Sequence, residues 1–323
     1  MVTVSLPDAP GWMGPLLAGA LRRQPGVERV LDGGDPHGAG RPPDVVVFAL
    51  SSDGDTGGEG ASLLRLRRAL DASTRDGAGG VVLVSHATAY GAWPSNPVPL
   101  SEDAPLRPRP GFSHGVARAE AERLVGEWRS RDGARRAAIL RTAPVVDRPL
   151  ADALSRALLG LLRLPGRDGG PPVQFVHAHD VVSAVVAAVN GALDGPFNVA
   201  PDGWLADEEL RGLLGGPARL TLPGRVGRPV AMVARRLRRG SSLPHLDPYV
   251  RHPWVVANDR LRAHGWTPRY SSEEAFVAGA GVPRWQSLSL GRRQAIAFGS
   301  AAGAVAAAVG AAVAVHRRRS SSR

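Results

Sequence analysis

The stretch Gly80-Val-Val-Leu-Val-Ser85-His86-Ala-Thr88-Ala-Tyr90-Gly91 contains the apolar run that decides the fold class. Its first six residues have the length of a strand and are apolar on both faces, which is typical of a strand buried in a parallel sheet. Polar and aromatic residues follow directly at the end of this run. The stretch therefore predicts a buried parallel strand, with candidate functional side chains just beyond it.

Similar runs alternate with helical patterns over residues 1–200. The predicted strands are Val2–Leu6, Val27–Leu31, Asp44–Leu50, Gly80–Ser85, Ala137–Leu140, Val173–His177 and Phe197–Val199, of which the last two extend or edge the sheet. The predicted helices are Gly14–Arg23, Ala61–Ala72, Ser113–Ser130, Ala151–Arg163 and Asp180–Ala192. This alternation predicts an α/β protein whose parallel sheet has helices on both faces. Beyond residue 200 the pattern is less regular, with helices predicted at Ala206–Leu214 and Pro229–Arg239, and we expect a smaller lobe over residues 201–288.

The composition excludes several classes of site. The chain has 323 residues and no cysteine, so disulfides, thiolate metal sites and cysteine nucleophiles are excluded. Its 40 basic residues are all arginine, and its net charge is +11. Six arginines and no acidic residue lie beyond residue 288, which leaves five of those positive charges on the body of the chain. We therefore expect no nucleic-acid partner. Because no signal sequence is apparent, we expect a cytoplasmic protein.

Residues 295–315 form an uncharged segment between two arginine clusters. At ~1.5 Å per residue a helix of this length would span ~31 Å, which is enough to cross the hydrocarbon core of a bilayer. Eleven of these 21 residues are alanine, so the driving force for insertion is small. We favour an apolar C-terminal helix that tethers the protein to a membrane. The alternative is an alanine-rich helix packed on the protein, or a loose tail.

Ordered motifs in the middle of the chain resemble those of a known family. Ser85 to Gly91 resembles the strand-end Ser-Ser-x-x-x-Tyr-Gly of extended short-chain dehydrogenases, the NAD-dependent epimerase/dehydratase family. His114-Gly-Val-Ala-Arg118-Ala-Glu-Ala-Glu122 is similar to that family's catalytic helix, Tyr-x-x-x-Lys-x-x-x-Glu. Further matches follow in family order, and they are Glu102–Pro108, Leu140-Arg141, Val173–Val182, Phe197–Ala200 and Gly265–Pro268. The resemblance covers residues 1–275.

The resemblance implies a Rossmann-like, doubly wound sheet in residues 1–200 that binds NAD or NADP. It also implies a smaller lobe, residues 201–288, over a substrate that is often a nucleotide sugar. Residues 289–323 are the separate tail. Family members commonly form homodimers through the helix that carries the catalytic pair, so a homodimer is left open here.

The cofactor-binding turn falls between the first strand and the first helix. By the resemblance it is formed by Asp8, Gly11, Trp12, Met13 and Gly14. Asp8 stands where the family has its first glycine and lacks that residue's conformational freedom. Asp32 ends the second strand, where an acid usually holds the ribose hydroxyls, and it favours NAD over NADP. Loss of the cofactor altogether is left open.

All three catalytic positions of the family are changed. His114 replaces the tyrosine that acts as general base, Arg118 replaces the lysine beside it, and His86 replaces the serine that orients the substrate. A tyrosine with a pKa near ~10 needs an adjacent cation to become a base, whereas a histidine titrates near ~6.5. Arginine keeps the positive charge but presents a planar fork instead of a compact ammonium.

Other polar residues of these motifs have simpler interpretations. We interpret Glu122 as a surface or helix-pair charge and Asp180 as the N-cap of its helix. His177 and His179 alternate along a strand without a third ligand, so no metal site is expected.

Three functions remain open at this point. The preferred hypothesis is a catalytically impaired family member that binds a dinucleotide or nucleotide sugar as a sensor or scaffold. The second is an active NAD(P)-dependent oxidoreductase or epimerase in which His114 is the acid/base and Arg118 holds the cofactor ribose. The third is a structural protein attached to a membrane.

Overall fold

A computed structural model describes residues 1–8, 11–32, 42–50, 58–146, 153–162, 169–213 and 245–279. Its strands are β1 Val2–Asp8, β2 Val27–Asp32, β3 Val45–Ala49, β4 Gly80–His86, β5 Arg136–Thr142, β6 Val145–Val146, β7 Val176–His177 and β8 Gly195–Val199. Its helices are α1 Met13–Arg22, α2 Gly58–Arg75, α3 Ser113–Ser130, α4 Ala153–Leu162, α5 Ala178–Asn190, α6 Asp207–Leu213, α7 Pro248–Arg251, α8 Asp259–Ala263 and α9 Ser272–Gly279. A 3₁₀ turn, Ala87–Tyr90, follows β4 directly.

Six parallel strands form the main sheet in the order β2-β1-β3-β4-β5-β8. Helices α2 and α3 pack on each other against one part of the sheet, and α1 and α5 form another packed helix pair. All seven residues of β4 are buried, as the sequence predicts for a strand in the interior of a parallel sheet. The predicted doubly wound α/β fold is confirmed.

An apolar core cluster lies between the sheet and the α2/α3 pair. Leu66 and Leu70 of α2 and Val125 and Trp128 of α3 pack against Leu83 of β4. Burial of side chains this large stabilises the fold by roughly 1.5–3 kcal/mol each. The core fixes α3 against the end of β4, and this placement determines where the candidate catalytic residues of both elements lie.

Two predictions of local structure are wrong. The strand predicted at Val173–His177 shortens to Val176–His177, which pairs with β6 in a separate two-stranded sheet instead of extending the main one. Asp180 is not an N-cap, because the cap of α5 is His177, whose side chain accepts from the His179 amide. The buried Asp180 carboxylate instead accepts from the backbone amides of Arg269 and Tyr270. It therefore ties α5 to the segment before α9.

Glu122 is buried, and its interpretation as a surface charge is wrong. It accepts from the Ser85 hydroxyl at 2.7 Å and from Arg141 Nε at 2.9 Å. Arg141 in turn donates to the Tyr90 hydroxyl at 2.7 Å, and Tyr90 donates to the Asn198 amide oxygen at 2.8 Å. Several residues that carry the family resemblance thus form one buried polar network that joins β4, α3, β5 and β8.

The predicted helix Pro229–Arg239 and the tail 289–323, with its predicted membrane span at 295–315, lie outside the described residues. Within the described ranges, no helix is both long enough and apolar enough to cross a bilayer. The domain boundaries at residues 200 and 288 stay predictions.

We predict that Arg141→Met strongly destabilises the protein, because it leaves the Glu122 carboxylate buried without its cation. Losing one partner of a buried ion pair costs about 3–5 kcal/mol. Urea unfolding should measure this loss. The matched control is Arg123→Met, which removes an exposed arginine that pairs with Glu120 on the surface of α3 and should change stability little. Equal unfolding midpoints for the two variants would contradict the structural role of the Arg141–Glu122 pair.

Candidate active site

The candidate site lies where β4 ends and α3 begins. His86 is the last residue of β4, and His114 and Arg118 lie one turn apart on α3. Residues four positions apart on a helix share a face, which places both α3 side chains beside the strand end. Gly115 allows this close approach, because a Cβ there would lie only 2.8 Å from the Thr88 carbonyl oxygen. The structure thus brings together the three residues that the sequence singles out as replaced catalytic positions.

A chain of hydrogen bonds joins these three residues through Thr88. The distance from Arg118 Nη2 to His114 Nε2 is 3.1 Å, and that from His114 Nδ1 to Thr88 Oγ1 is 3.0 Å. Thr88 Oγ1 lies 3.1 Å from His86 Nδ1, which also accepts from the Thr88 backbone amide at 3.1 Å. All four side chains are buried.

The hydrogen-bond partners at the two ends of this series determine which ring nitrogen of each histidine carries the proton. Arginine has no acceptor, so His114 Nε2 must accept from Arg118, and neutral His114 then carries its proton on Nδ1. His86 Nδ1 accepts a backbone N–H, so neutral His86 carries its proton on Nε2. The Thr88 hydroxyl therefore accepts from His114 and donates to His86. In each of these hydrogen bonds the residue nearer to Arg118 donates and the residue nearer to His86 accepts.

Arg118 is held by more than His114. Its guanidinium donates to the Glu59 carboxylate at 2.7 Å and to the Leu50 carbonyl oxygen at 3.4 Å. The Arg118 side chain is 2% exposed and that of Glu59 is 21% exposed, so solvent screens this ion pair only partly. The cation is thus neutralised by a carboxylate from the start of α2.

Burial keeps both histidines neutral. It lowers the pKa of His86 to about 3, and the nearby Arg118 charge acts in the same direction. Burial also holds the pKa of His114 well below its usual range, and the Arg118 charge and the neighbouring His86 act in the same direction. A buried cation next to another cation is disfavoured twice, by desolvation and by repulsion. Neither ring carries a charge at neutral pH.

His86 Nε2 has no hydrogen-bond partner among the described residues, although it is fully buried. The His86 ring packs edge-on to His114, with centroids 5.3 Å apart, and beside Trp254 at 6.0 Å. The His86 Nε2–H group, at the end of this series of hydrogen bonds, is therefore a donor without an acceptor in the described part of the protein.

The predicted cofactor turn lies between β1 and α1. Trp12 precedes the first turn of α1 and makes no side-chain capping bond, and Met13 is buried. Gly11 is exposed, and a Cβ at this position would have no other described atom within 4 Å. Asp8 is the last residue of β1. Asp32 ends β2 as predicted, and its exposed carboxylate pairs with Arg22 at 2.9 Å.

Two members of the site could not be identified from sequence. Glu59 lies 59 positions before Arg118, next to a glycine-rich stretch that carries no motif. Thr88 is visible in the sequence as a hydroxyl near the strand end, but only the turn after β4 shows that it bridges the two histidines. No group of three acidic or histidine side chains in the described part of the chain could hold a metal ion.

Known proteins resemble this chain in sequence and in fold. Residues 61–200 match the model of the NAD dependent epimerase/dehydratase family. This match places residues 61–200 of the chain in that family. The matched range includes β4, all of α3 and β8, and so contains His86, His114 and Arg118.

Among curated relatives, a "3-diazoavenalumate denitrifying reductase" of a Streptomyces species is 37% identical over 213 residues, which are 60% of this chain and 63% of that protein. An uncharacterised protein of Mycobacterium tuberculosis is 30% identical over 211 residues, or 61% of this chain and 52% of that protein. The chain therefore matches less than two thirds of the length of either relative.

Two solved structures share the fold at low sequence identity. UDP-glucose 4-epimerase of Thermotoga maritima with UDP-glucose has a TM-score of 0.60 at 17% identity, covering 87% of this chain and 98% of that one. RMD of Pseudomonas aeruginosa complexed with NADPH has a TM-score of 0.59 at 18% identity, covering 86% and 97%. At these identities the likeness shows the fold.

We predict that the free energy of unfolding falls as the pH drops from about 7 to about 5. Both histidines titrate at lower pH in the folded state than in the unfolded chain, where their pKa is ~6.5, so the unfolded state binds more protons in this range. Each histidine contributes up to about 1.4 kcal/mol per pH unit. Urea unfolding at several pH values should show a shallower slope for His86→Phe. The exposed His179→Phe control should keep the wild-type slope, and equal slopes in all three proteins would contradict the buried, neutral state of His86.

Proposed function

We propose that this protein binds NAD or NADP but does not carry out the proton-coupled hydride transfer of its family. The supporting observation is the engagement of Arg118. Its guanidinium is neutralised by Glu59 and bonded to His114, so its donors are directed into the protein. In this arrangement neither α3 residue is free to act as the family's tyrosine and lysine do.

The residues at the β1–α1 turn fit a dinucleotide. The first N–H groups of α1 are not capped by a side chain within the described residues, and such groups bind phosphate readily. No other described atom lies within 4 Å of a Cβ built on Gly11, and the half-exposed Asp32 can exchange Arg22 for ribose hydroxyls at little cost. A bound NAD(P)H would supply hydride. The fit is poorer at the nicotinamide end, because Arg118, the cation that would hold the ribose, is already paired with Glu59.

His114 is a poor substitute for the catalytic tyrosine. A general base needs a free lone pair within reach of the substrate and a pKa near the operating pH. The His114 Nε2 lone pair accepts from Arg118, and its Nδ1–H is donated to Thr88. Burial and the Arg118 charge also lower its pKa, which makes it a weaker base. Epimerisation or dehydration through His114 is therefore disfavoured.

A protein that keeps the cleft without this chemistry is suited to sensing or scaffolding. We propose that its ligand is the dinucleotide, with a nucleotide sugar as the accompanying ligand, since fold neighbours are known with NADPH and with UDP-glucose. Attachment to a membrane through residues 295–315 and homodimer formation stay predictions.

We predict saturable binding of NAD to the full-length protein without epimerisation of UDP-glucose. Calorimetric titration measures the binding, and an assay for UDP-galactose measures the turnover. Glu59→Gln should tighten NAD binding by roughly three- to tenfold, because it removes the negative charge that competes with the dinucleotide for Arg118, an effect on the order of 1 kcal/mol.

Glu127→Gln is the matched control for this experiment, since it removes an exposed carboxylate of α3 and should leave NAD affinity unchanged. If neither NAD nor NADP binds, the cofactor proposal fails. If UDP-galactose forms and this activity disappears in His114→Ala, the proposal that the protein lacks the family's catalysis is disproved.

A second candidate is supported by the 37% identical relative. Reduction of an arenediazonium cation needs no proton from the protein. NAD(P)H would supply the hydride for the new C–H bond, while the C–N bond would break and leave both of its electrons on N₂. A site with two neutral histidines and a neutralised arginine does not hinder this reaction, because its chemistry requires neither a general base nor a general acid.

We predict for this second candidate that the protein accelerates NADH-dependent reduction of an arenediazonium salt. The assay follows loss of nicotinamide absorbance together with release of N₂, against a protein-free background. His114→Phe should keep most of the activity, since no proton passes through His114. Rates equal to the background with both NADH and NADPH would rule this candidate out.

A further inference from the structure

Arg22 and Asp32 form an exposed ion pair near the β1–α1 turn. Asp32 ends β2, and Arg22 lies in the last turn of α1. Arg22 Nη2 donates to Asp32 Oδ2 at 2.9 Å, and the two side chains are 52% and 51% exposed. Asp32 lies opposite Leu6 of β1, two residues before that strand ends. An acid at the end of the second strand usually binds the adenosine ribose of a dinucleotide, so the pair is placed to contact that ribose.

The Asp32 carboxylate by itself would favour NAD. The 2′-hydroxyl of NAD can donate to a carboxylate, whereas NADP carries a phosphate in its place, which a carboxylate repels. The preference for NAD that the sequence predicts depends on this repulsion. In the structure the Arg22 guanidinium compensates the Asp32 charge at 2.9 Å. The repulsion of a 2′-phosphate is therefore reduced.

The pair can contact either kind of ribose without separating. The bond from Nη2 to Oδ2 is the one hydrogen bond that these two side chains make with described residues. An arginine has five N–H donors and a carboxylate has two acceptor oxygens, so Asp32 Oδ1 can accept from a hydroxyl and other Arg22 N–H groups can donate to a phosphate. The planar guanidinium also matches the geometry of phosphate oxygens. One pair thus offers an acceptor for NAD and donors for NADP.

We propose that the Arg22–Asp32 pair gives this protein dual cofactor specificity. Asp32 binds the 2′-hydroxyl of NAD, and Arg22 binds the 2′-phosphate of NADP. This inference rests on the proposed function, because it applies to a dinucleotide bound at the β1–α1 turn. It changes the expectation from sequence, in which Asp32 without a partner selects NAD.

Calorimetric titration of the full-length protein with NAD and with NADP tests this inference. We expect the two affinities to agree within about threefold in the wild-type protein. Arg22→Gln should weaken NADP binding by about tenfold and change NAD binding little, because it removes the charged donors and leaves the Asp32 charge uncompensated. Asp32→Asn should shift the ratio of the two affinities by about tenfold in the opposite direction, towards NADP.

Two matched controls remove the same charges from neighbouring positions. Arg23→Gln removes the exposed arginine next to Arg22, and Glu28→Gln removes an exposed carboxylate of β2. Neither residue forms an ion pair within the described part of the chain. Both controls should keep the wild-type ratio of NADP to NAD affinity. All four substituted side chains are exposed, so we expect each variant to fold.

The outcomes separate this inference from the proposed function. If the wild-type protein binds both cofactors and Arg22→Gln leaves the affinity ratio unchanged, the role of the pair is overturned and cofactor binding stands. A wild-type preference of more than about thirtyfold for either cofactor would overturn dual specificity in the same way. If neither cofactor binds, this inference fails together with the proposed function.

Discussion

The buried Arg118 cation is the constraint on which the candidate site depends. A guanidinium that is almost completely removed from water needs a counter-charge, and Glu59 supplies it from the start of α2. The same cation fixes the acceptor on His114, and it adds to burial in lowering the pKa values of both histidines. Arg118 therefore determines the tautomer of His114, while the Thr88 amide determines that of His86.

A second buried arginine, Arg141, lies near the end of β4 and has a structural role. Arg141 pairs with Glu122 and bonds to Tyr90, so its charge and its donors are used in joining β5 to α3 and to the turn after β4. Burial and the Arg141 charge act on Tyr90 in opposite senses, and burial prevails, raising the pKa of its phenol to about 12. Tyr90 consequently stays neutral and structural. The motifs that reveal the family are in large part this scaffold.

The order of elements can be predicted from sequence because it rests on local patterns. Strand β4 and helix α3 lie where the sequence predicts them, and the family motifs bring His86 and His114 to one place in the fold. The wrong predictions concern residues with distant partners. Glu122 resembles a surface charge because no local pattern shows that Arg141 faces it, and Asp180 resembles a cap because its actual partners lie about 90 positions away. Glu59 cannot be predicted for the same reason.

The three residues that the sequence predicts to stand at the family's catalytic positions are coupled to one another. A lysine at position 118 would present a compact ammonium, which could not hold Glu59, Leu50 and His114 simultaneously with the geometry of a planar fork. A tyrosine at position 114 would break the link to Thr88 and free the tautomer of His86. The side chains of Arg118, His114, Thr88 and His86 thus form one hydrogen-bonded unit, with a cation at one end and a neutral histidine at the other. The Thr88 backbone amide keeps that histidine a donor at Nε2.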